Sequence, residues 1–313
     1  VVESILALHE GEMIADETGL IACCMQAKDA EGLLKNKLIA AAKPAMATDV
    51  KRLKYPWQIF QWNDEILRKD FELLRNKNNQ RLLPPHNQYV AEENIMIEDG
   101  ATVQFANINA AAGPVYIGKN VQVMEGACIR GPFAVLENAV IKMGAKIYGA
   151  TTIGPSCVVG GEIKNAVFQG NSNKSHDGYI GDAVVAPWCN LGAGTSNSNV
   201  KNTGSIINIW HKPDNNFVPV AEKCGCIIGA YSRTAINTSI NCGTVIGVCC
   251  NIFSEAMVTK YIPHFTWGNR GLSKYELEKA LKDIANWKKM KQQEFSEEEI
   301  AVLQYVFEHE SGD

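Results

Sequence analysis

Residues 117–159 read IGKNVQVMEGACIRGPFAVLENAVIKMGAKIYGATTIGPSCVV, and every sixth position holds a branched aliphatic: Ile117, Val123, Ile129, Val135, Ile141, Ile147, Ile153 and Val159. Four residues after the first seven of these stand Val121, Ala127, Phe133, Ala139, Ala145, Thr151 and Cys157, mostly small and all uncharged, as a tight corner requires. A period of six matches neither the helical period of about 3.6 nor an array of hairpins, which needs turn residues between antiparallel strands. It suits a prism. One short strand and one turn per hexad, three hexads to a coil, let successive coils pair in parallel about 4.8 Å apart, with every aliphatic pointing inward. The period resumes at Ile228, Thr234, Ile240, Ile246 and Ile252. Gly often follows the aliphatic, as in Ile117-Gly118, Ile153-Gly154, Ile180-Gly181, Ile228-Gly229 and Ile246-Gly247.

The flanks differ in character. Residues 1–88 read as α/β: apolar stretches Ser4–Leu8 and Leu20–Met25, a helix-like run from Ala30, then Tyr55-Pro56-Trp57. An amphipathic segment follows, with Ile66, Leu67, Phe71 and Leu74 on one face. Asn76–Asn87, rich in Asn and Pro, reads as a linker. After the repeat, Ser273–Glu276 and Ser296–Glu299 have capping-box spacing. The first is expected to open a helix with Leu277, Ala280, Ile284 and Trp287 facing inward, and the second carries Phe295 and Ile300 as a hydrophobic staple. The two helices are expected to cover the open end of the prism, whose backbone edge otherwise invites pairing with another chain. The domain reading is 1–88 for the α/β segment, 89–262 for the repeat and 263–313 for the helices.

Composition bounds the partners. At 313 residues the chain exceeds one ordinary core, so two or three units are expected. With 46% apolar and 20% charged residues it has a soluble globular composition. A net charge of −4 and no long Lys/Arg run exclude a nucleic-acid partner. No apolar run approaches the roughly 20 residues of a membrane span. The opening VVESILALHEGEM lacks a basic region and a small-residue cleavage site. The expectation is a cytoplasmic protein with no membrane partner. Beginning at Val1 without a Met leaves room for an upstream segment. The ten cysteines contain no C-x-x-C pair and read as reduced core residues, with no metal site.

Between Val159 and Ile228 the hexads break, and polar residues gather. Irregularity in a regular solenoid marks function. The stretch runs His176-Asp-Gly-Tyr179-Ile-Gly181-Asp182, then Asn190-Leu-Gly192-Ala193-Gly194-Thr195, then Asn199, with Glu162-Ile-Lys164-Asn165 twelve residues before the histidine. Asn171 and Asn173 suit turns or an internal ladder. The insertion Asn208–Cys224, with Trp210, His211, Lys212 and Phe217, leaves the repeat and is placed to reach a neighbouring subunit; His211 reads as structural.

From about Asn94 to Val258 the hexads resemble the left-handed parallel β-helix acyltransferases, and the left hand is implied by that resemblance alone. The order of α/β segment, Y-P-W element and β-helix resembles the bacterial and archaeal two-domain sugar-1-phosphate nucleotidyltransferase/acetyltransferases. The fold expected is therefore mainly β: a left-handed β-helix with an N-terminal α/β remnant of a nucleotidyltransferase-like domain and C-terminal helices. Lacking the Gly-rich, Arg-containing loop of that domain, residues 1–88 correspond to its C-terminal portion. Either the rest of that domain, with any nucleotidyltransferase site and its Mg ion, lies upstream, or that activity has been lost.

The motif resembles the signature of glucosamine-1-phosphate acetyltransferases. That resemblance implies His176 as general base, Tyr179 and Asn199 as sugar-binding residues, Lys164 as the phosphate-binding lysine, and Ala193, with Gly192, Gly194 and Thr195, beside acetyl-CoA. Arg130 and Lys146 are candidates, at shifted spacing, for the family's second phosphate-binding cation. Val200 replaces the aromatic that follows the family's Asn. Residue chemistry agrees: acyl transfer from a thioester to an amine needs a base of near-neutral pKa, which His supplies. Main-chain N–H groups of an unencumbered Gly-Ala-Gly turn can approach an oxyanion, and a lysine offers a point charge for phosphate. Three functions follow as expectations. The first is acetyl-CoA-dependent N-acetylation of an amino-sugar phosphate or nucleotide-linked amino sugar, by a homotrimer as the resemblance implies. The second is sugar-1-phosphate nucleotidyl transfer with its catalytic loop upstream. The third is non-catalytic binding of a sugar nucleotide.

Overall fold

The structure is a computed structural model that describes residues 2–16, 19–26, 44–46, 50–75, 83–268 and 273–310. The chain forms two compact units, 1–54 and 55–313. In the first, strand Met13–Asp16 pairs antiparallel with Gly19–Cys23 and parallel with Pro44–Met46. Arg52 ties this small sheet together, its guanidinium donating to Asp16 Oδ1 at 2.9 Å and to the carbonyls of Gly19 and Leu20. The helix expected from Ala30 and most of the Asn76–Asn87 linker lie outside the described residues.

The second unit is a parallel β-helix whose strands run from Gln88–Val90 to Tyr261–Ile262. All eight aliphatics of the 117–159 ladder are buried, none more than 2% exposed, and so are the seven corner residues four positions after them. They form one continuous hydrophobic core with Ile228, Ile240, Ile246 and Ile252. Register confirms the prism: Val135 pairs with Ile117 and Ile153, and Ile129 with Ile108 and Ile147, always one coil apart.

The regular spacing of six breaks after Val159, as the sequence suggested, but the coiling does not stop there. The coils continue inward through Ile163, Phe168, Lys174, Ile180, Val185, Leu191 and Asn197, all buried. Two features hid them. The corners at Gly160-Gly161, Asn165 and Asp182 are shortened, the last two by adopting positive φ (48° and 49°), so a coil closes with fewer residues. Polar Lys174 and Asn197 also occupy inward positions. Only residues 198–225 leave the coil, as a hairpin of Ile207–His211 with Asn216–Ala221.

Three faces result. The first carries Asn107–Asn109, Cys128–Arg130, Lys146–Tyr148, Glu162–Lys164 and Tyr179–Gly181. The second is covered by Trp57 and Phe60, which pack with Val167, Val184 and Ile227 and with Ile207 and Ile209 of the hairpin. Asn63 pins that cover by donating to Ala150 O at 2.7 Å and accepting from Thr152 Oγ1 at 2.9 Å. His211 lies edge-on to Tyr55 and Trp57 and is bonded to Asp214 at 2.8 Å.

The corner between the second and third faces is a column of left-handed residues: Asn120, Asn138, Ser156, Asn171, Trp188, Tyr231, Cys249 and Phe265. Asn adopts this conformation readily, whereas a bulky aromatic does so only at a steric cost. The column changes from Asn to aromatics where the C-terminal helices, Leu277–Met290 and Glu297–His309, pack on it. The helices therefore line a flank of the prism rather than cover its end. Lys291, just past the first helix, donates to the carbonyls of Ser156 and Asn171 far down the column and to Asn173 Oδ1. Of the two capping boxes, Ser296–Glu299 forms fully. Ser273–Glu276 does not: its helix starts at Leu277 with Glu276 as an uncapped N-cap, because Ser273 and Tyr275 instead make main-chain bonds to Trp267 and Phe265.

Seven of the ten cysteines are buried free thiols in the β-helix, whereas Cys128 stands exposed on the first face and Cys23 and Cys24 are half-buried. Burial pushes the Cys157 thiol up to about 11. No helix among the described residues is long and apolar enough to cross a membrane.

Candidate active site

His176 sits on the corner that leads from the third face to the first. Its turn, Ser175–Gly178, lies between the turn at Gly160-Gly161 and that at Gly192–Thr195. The stack is tight. A Cβ on Gly178 would stand 2.2 Å from Thr195 O, and one on Gly161 2.9 Å from His176 O, so both positions demand glycine. Gly194 N–H donates to Asp177 O at 2.9 Å and locks the two turns together. The His176 side chain is exposed and its imidazole has no hydrogen-bond partner among the described residues. From beneath, the Nζ of Lys174 donates to His176 O and, at 3.4 Å, to Gly160 O. Lys174 is wholly buried inside the coil, and desolvation pulls its pKa down to about 8, with Asp177 working the other way.

Tyr179 opens the next strand of the first face. Asn199 Nδ2 donates to Tyr179 Oη at 3.1 Å and to Asp182 Oδ2 at 2.5 Å, while Asn165 Nδ2 donates to Asp182 Oδ1 at 2.6 Å. Asp182 is 4% exposed, so these bonds are what make its burial tolerable. Burial, then the Asp182 charge, holds the Tyr179 phenol protonated well above its usual range. The ladder is interrupted on this strand's far side, where the Asn197 side chain takes Gly181 N–H at 2.8 Å and gives back to Gly181 O at 3.0 Å. An amide side chain thus replaces a strand's backbone.

Lys164 stands outward on the neighbouring strand, in register with Tyr148 and Gly181, its Nζ 5.9 Å from the Tyr148 ring centre. Tyr148 donates to Glu162 at 2.6 Å, which with burial pushes its phenol up to about 12. Arg130 lies on the same face two strands from Lys164, with Lys146 on the strand between.

The structure thus brings Tyr179 and Asn199 into contact and sets Lys164 on the adjacent strand; no contact joins the His176 ring to Tyr179 or Asn199. Of the Gly-Ala-Gly turn, Gly192 N–H is held by Thr234 and Gly194 N–H by Asp177, which leaves Ala193 N–H as the one without a protein acceptor among the described residues. Thr195 is buried and bonded to Thr234 at 2.8 Å, a structural position beneath the turn. Reading the sequence missed what Asn165, Lys174 and Asn197 do. Asn and Lys at hexad positions where an aliphatic or a small residue is due were the available clue.

Residues 1–79 match the Sugar nucleotidyl transferase family. A putative uncharacterized acetyltransferase of Escherichia coli K12, YaiX, is 30% identical over 58% of this chain and 77% of its own. The bifunctional protein GlmU of Trichormus variabilis is 27% identical over 56% of this chain. The bifunctional sugar-1-phosphate nucleotidylyltransferase/acetyltransferase of Sulfurisphaera tokodaii is 32% identical over 32% of it. The chain spans 44% and 24% of those two proteins. Among solved structures the polysialic acid O-acetyltransferase OatWY overlays 56% of this chain and 79% of its own at 14% identity, with a TM-score of 0.28. With its parallel coils and the YaiX match over most of that protein's length, this chain is a transferase of the acetyltransferase family that includes YaiX and, over shorter spans, the GlmU-like sugar-1-phosphate nucleotidyltransferase/acetyltransferases.

Proposed function

We propose that the β-helix catalyses acetyl transfer from acetyl-CoA to the amine of an amino-sugar phosphate or nucleotide-linked amino sugar, with His176 as general base. The observation that carries this reading is the ledge itself. An exposed imidazole stands on a turn between two glycine turns, and that turn leads directly into the strand opened by Tyr179, whose hydroxyl accepts from Asn199. Lys164, one strand away, supplies the charge for the acceptor phosphate. An amine attacking a thioester must lose a proton as the C–N bond forms and the thiolate leaves; a neutral His176 ring accepts it. The free Ala193 N–H is the donor available to the carbonyl oxygen of the tetrahedral intermediate. The protein acts as a homotrimer, which closes a groove that a single prism leaves one-sided; light scattering at micromolar concentration returning a monomer would refute the assembly.

The test follows thiol release from acetyl-CoA with glucosamine-1-phosphate and nucleotide-linked amino sugars. His176→Ala is expected to slow the wild-type reaction about 10²- to 10⁴-fold. Equal rates would end the assignment. The family match over residues 1–79 favours a second reading, sugar-1-phosphate nucleotidyl transfer by a longer protein, and that activity would show as pyrophosphate release from a nucleoside triphosphate with no thiol release.

A further inference from the structure

The acceptor reading above uses one end of the first face. The same face continues toward the N-terminal coils as a groove of about 510 Å³, within the range of a small-molecule site, whose lining includes Gln88, Asn107, Asn109, Arg130, Lys146 and Tyr148. Register makes the two regions one surface. Cys128 pairs with Lys146, Lys146 with Glu162 and Glu162 with Tyr179, while Tyr148 pairs with Lys164 and Lys164 with Gly181. From the Gln88 strand to the Tyr179 strand is five interstrand spacings, about 24 Å.

Charge is unevenly spread along it. Arg130, Lys146 and Lys164 stand on three consecutive strands, so the cations cover two spacings, about 10 Å. None of the three has a carboxylate partner among the described residues; Glu162, the acid beside them, is held by the Tyr148 hydroxyl. In a chain of net charge −4 this is a local positive field facing solvent. A monophosphate fills one such site. Arg130 and Lys164 share one file with Tyr148 between them, and Lys146 stands two residues along on the middle strand; this staggered triad, followed by a pocket edged with the carboxamides of Gln88, Asn107 and Asn109, matches an anion extended into a diphosphate and then a flat group rich in donors and acceptors.

We propose that this groove is the nucleotide subsite of the acceptor, so that the substrate class is a nucleoside-diphosphate-linked amino sugar rather than a sugar monophosphate. Resting on the acceptor placement of the proposed function, it sets the sugar by Tyr179 and Asn199, the diphosphate along Lys164, Lys146 and Arg130, and the nucleoside over the Gln88–Asn109 end.

Calorimetric titration without any acetyl donor separates this from the catalytic reading. The full chain is titrated with UDP-N-acetylglucosamine and with N-acetylglucosamine-1-phosphate, for wild type, Arg130→Ala, Arg130→Lys and, as a charge control at the corner between the second and third faces, Lys119→Ala. The expected result is that the nucleotide-linked sugar binds at least about tenfold tighter, and that Arg130→Ala removes this advantage while the monophosphate affinity stays unchanged. Arg130→Lys keeps part of it and Lys119→Ala all of it. Equal affinities for the two ligands, or a UDP-sugar affinity insensitive to Arg130→Ala, as binding by residues 1–79 would give, overturns the proposal. If His176→Ala abolishes neither transfer nor binding, the catalytic assignment fails and the subsite stands.

Discussion

The ammonium of Lys174, sealed inside the β-helix, donates to the main-chain carbonyl of His176 on the outer ledge. A cation in the core thus sets the backbone on which the candidate base is mounted. Its pKa, lowered to about 8 by burial, lies below the 10.5 of an ordinary lysine, so the unfolded chain binds more protons between those values. Stability is therefore expected to rise as pH climbs from about 8 toward 10.5, relieving the cost of the buried charge. Lys174→Met should lack that rise in urea midpoints measured at pH 7.5, 8.5 and 9.5. Parallel profiles for the two proteins would contradict it.

Asp182 organises the sugar end of the site by accepting from both Asn165 and Asn199. Asp182→Ala strands two half-buried carboxamides and frees Asn199 from its place over Tyr179. A loss of about 3 kcal/mol in unfolding free energy is expected, together with a raised acceptor KM. Asn199→Ala should raise the same KM with less effect on stability, and wild-type KM in both variants would show that the cluster is structural alone.

The inward ladder carries the stability of the coils. Ile147→Ala, in the middle of the core, is expected to cost about 2–5 kcal/mol. Ile236→Ala, at a position 69% exposed, should stay within about 0.5 kcal/mol. Chemical denaturation giving similar costs at both positions would argue against a prism.

Glu299 joins the C-terminal helices to the β-helix: it receives Lys288 Nζ at 2.6 Å and the hydroxyl of Tyr231, on the aromatic corner, also at 2.6 Å. Burial opposes its charge, but the bonds from Lys288, Tyr231 and the Ser296 backbone outweigh it and hold the carboxyl below its usual value. That stabilisation is present above the ordinary glutamate pKa and is lost as pH falls through the lowered one. Glu299→Gln should cost about 1–3 kcal/mol, moderated by the carboxylate's 35% exposure, and should speed proteolysis within 277–309. Unchanged cleavage would refute the role.

The spacing of six was enough to determine the coils from Ile117 to Val159, because an inward aliphatic every sixth residue has one geometric solution and needs no distant partner to be read. The same holds for the Ser296–Glu299 box, whose hydrogen bonds are local, and for the order of residues in the His176–Asn199 motif. Everything that depends on which coil lies beside which was decided by tertiary structure. The continuation of the coils through Lys174 and Asn197 is invisible to a hydrophobic pattern, since a lysine becomes an inward residue only when carbonyls from two turns meet its ammonium. The aromatic corner of Trp188, Tyr231 and Phe265 makes sense only with helices packed on it. Ser273 fails to cap because main-chain bonds to Trp267 and Phe265 hold its segment out of the helix. The cluster of Arg130, Lys146 and Lys164 on three adjacent strands exists only after parallel pairing stacks residues some sixteen to eighteen positions apart at a spacing of about 4.8 Å.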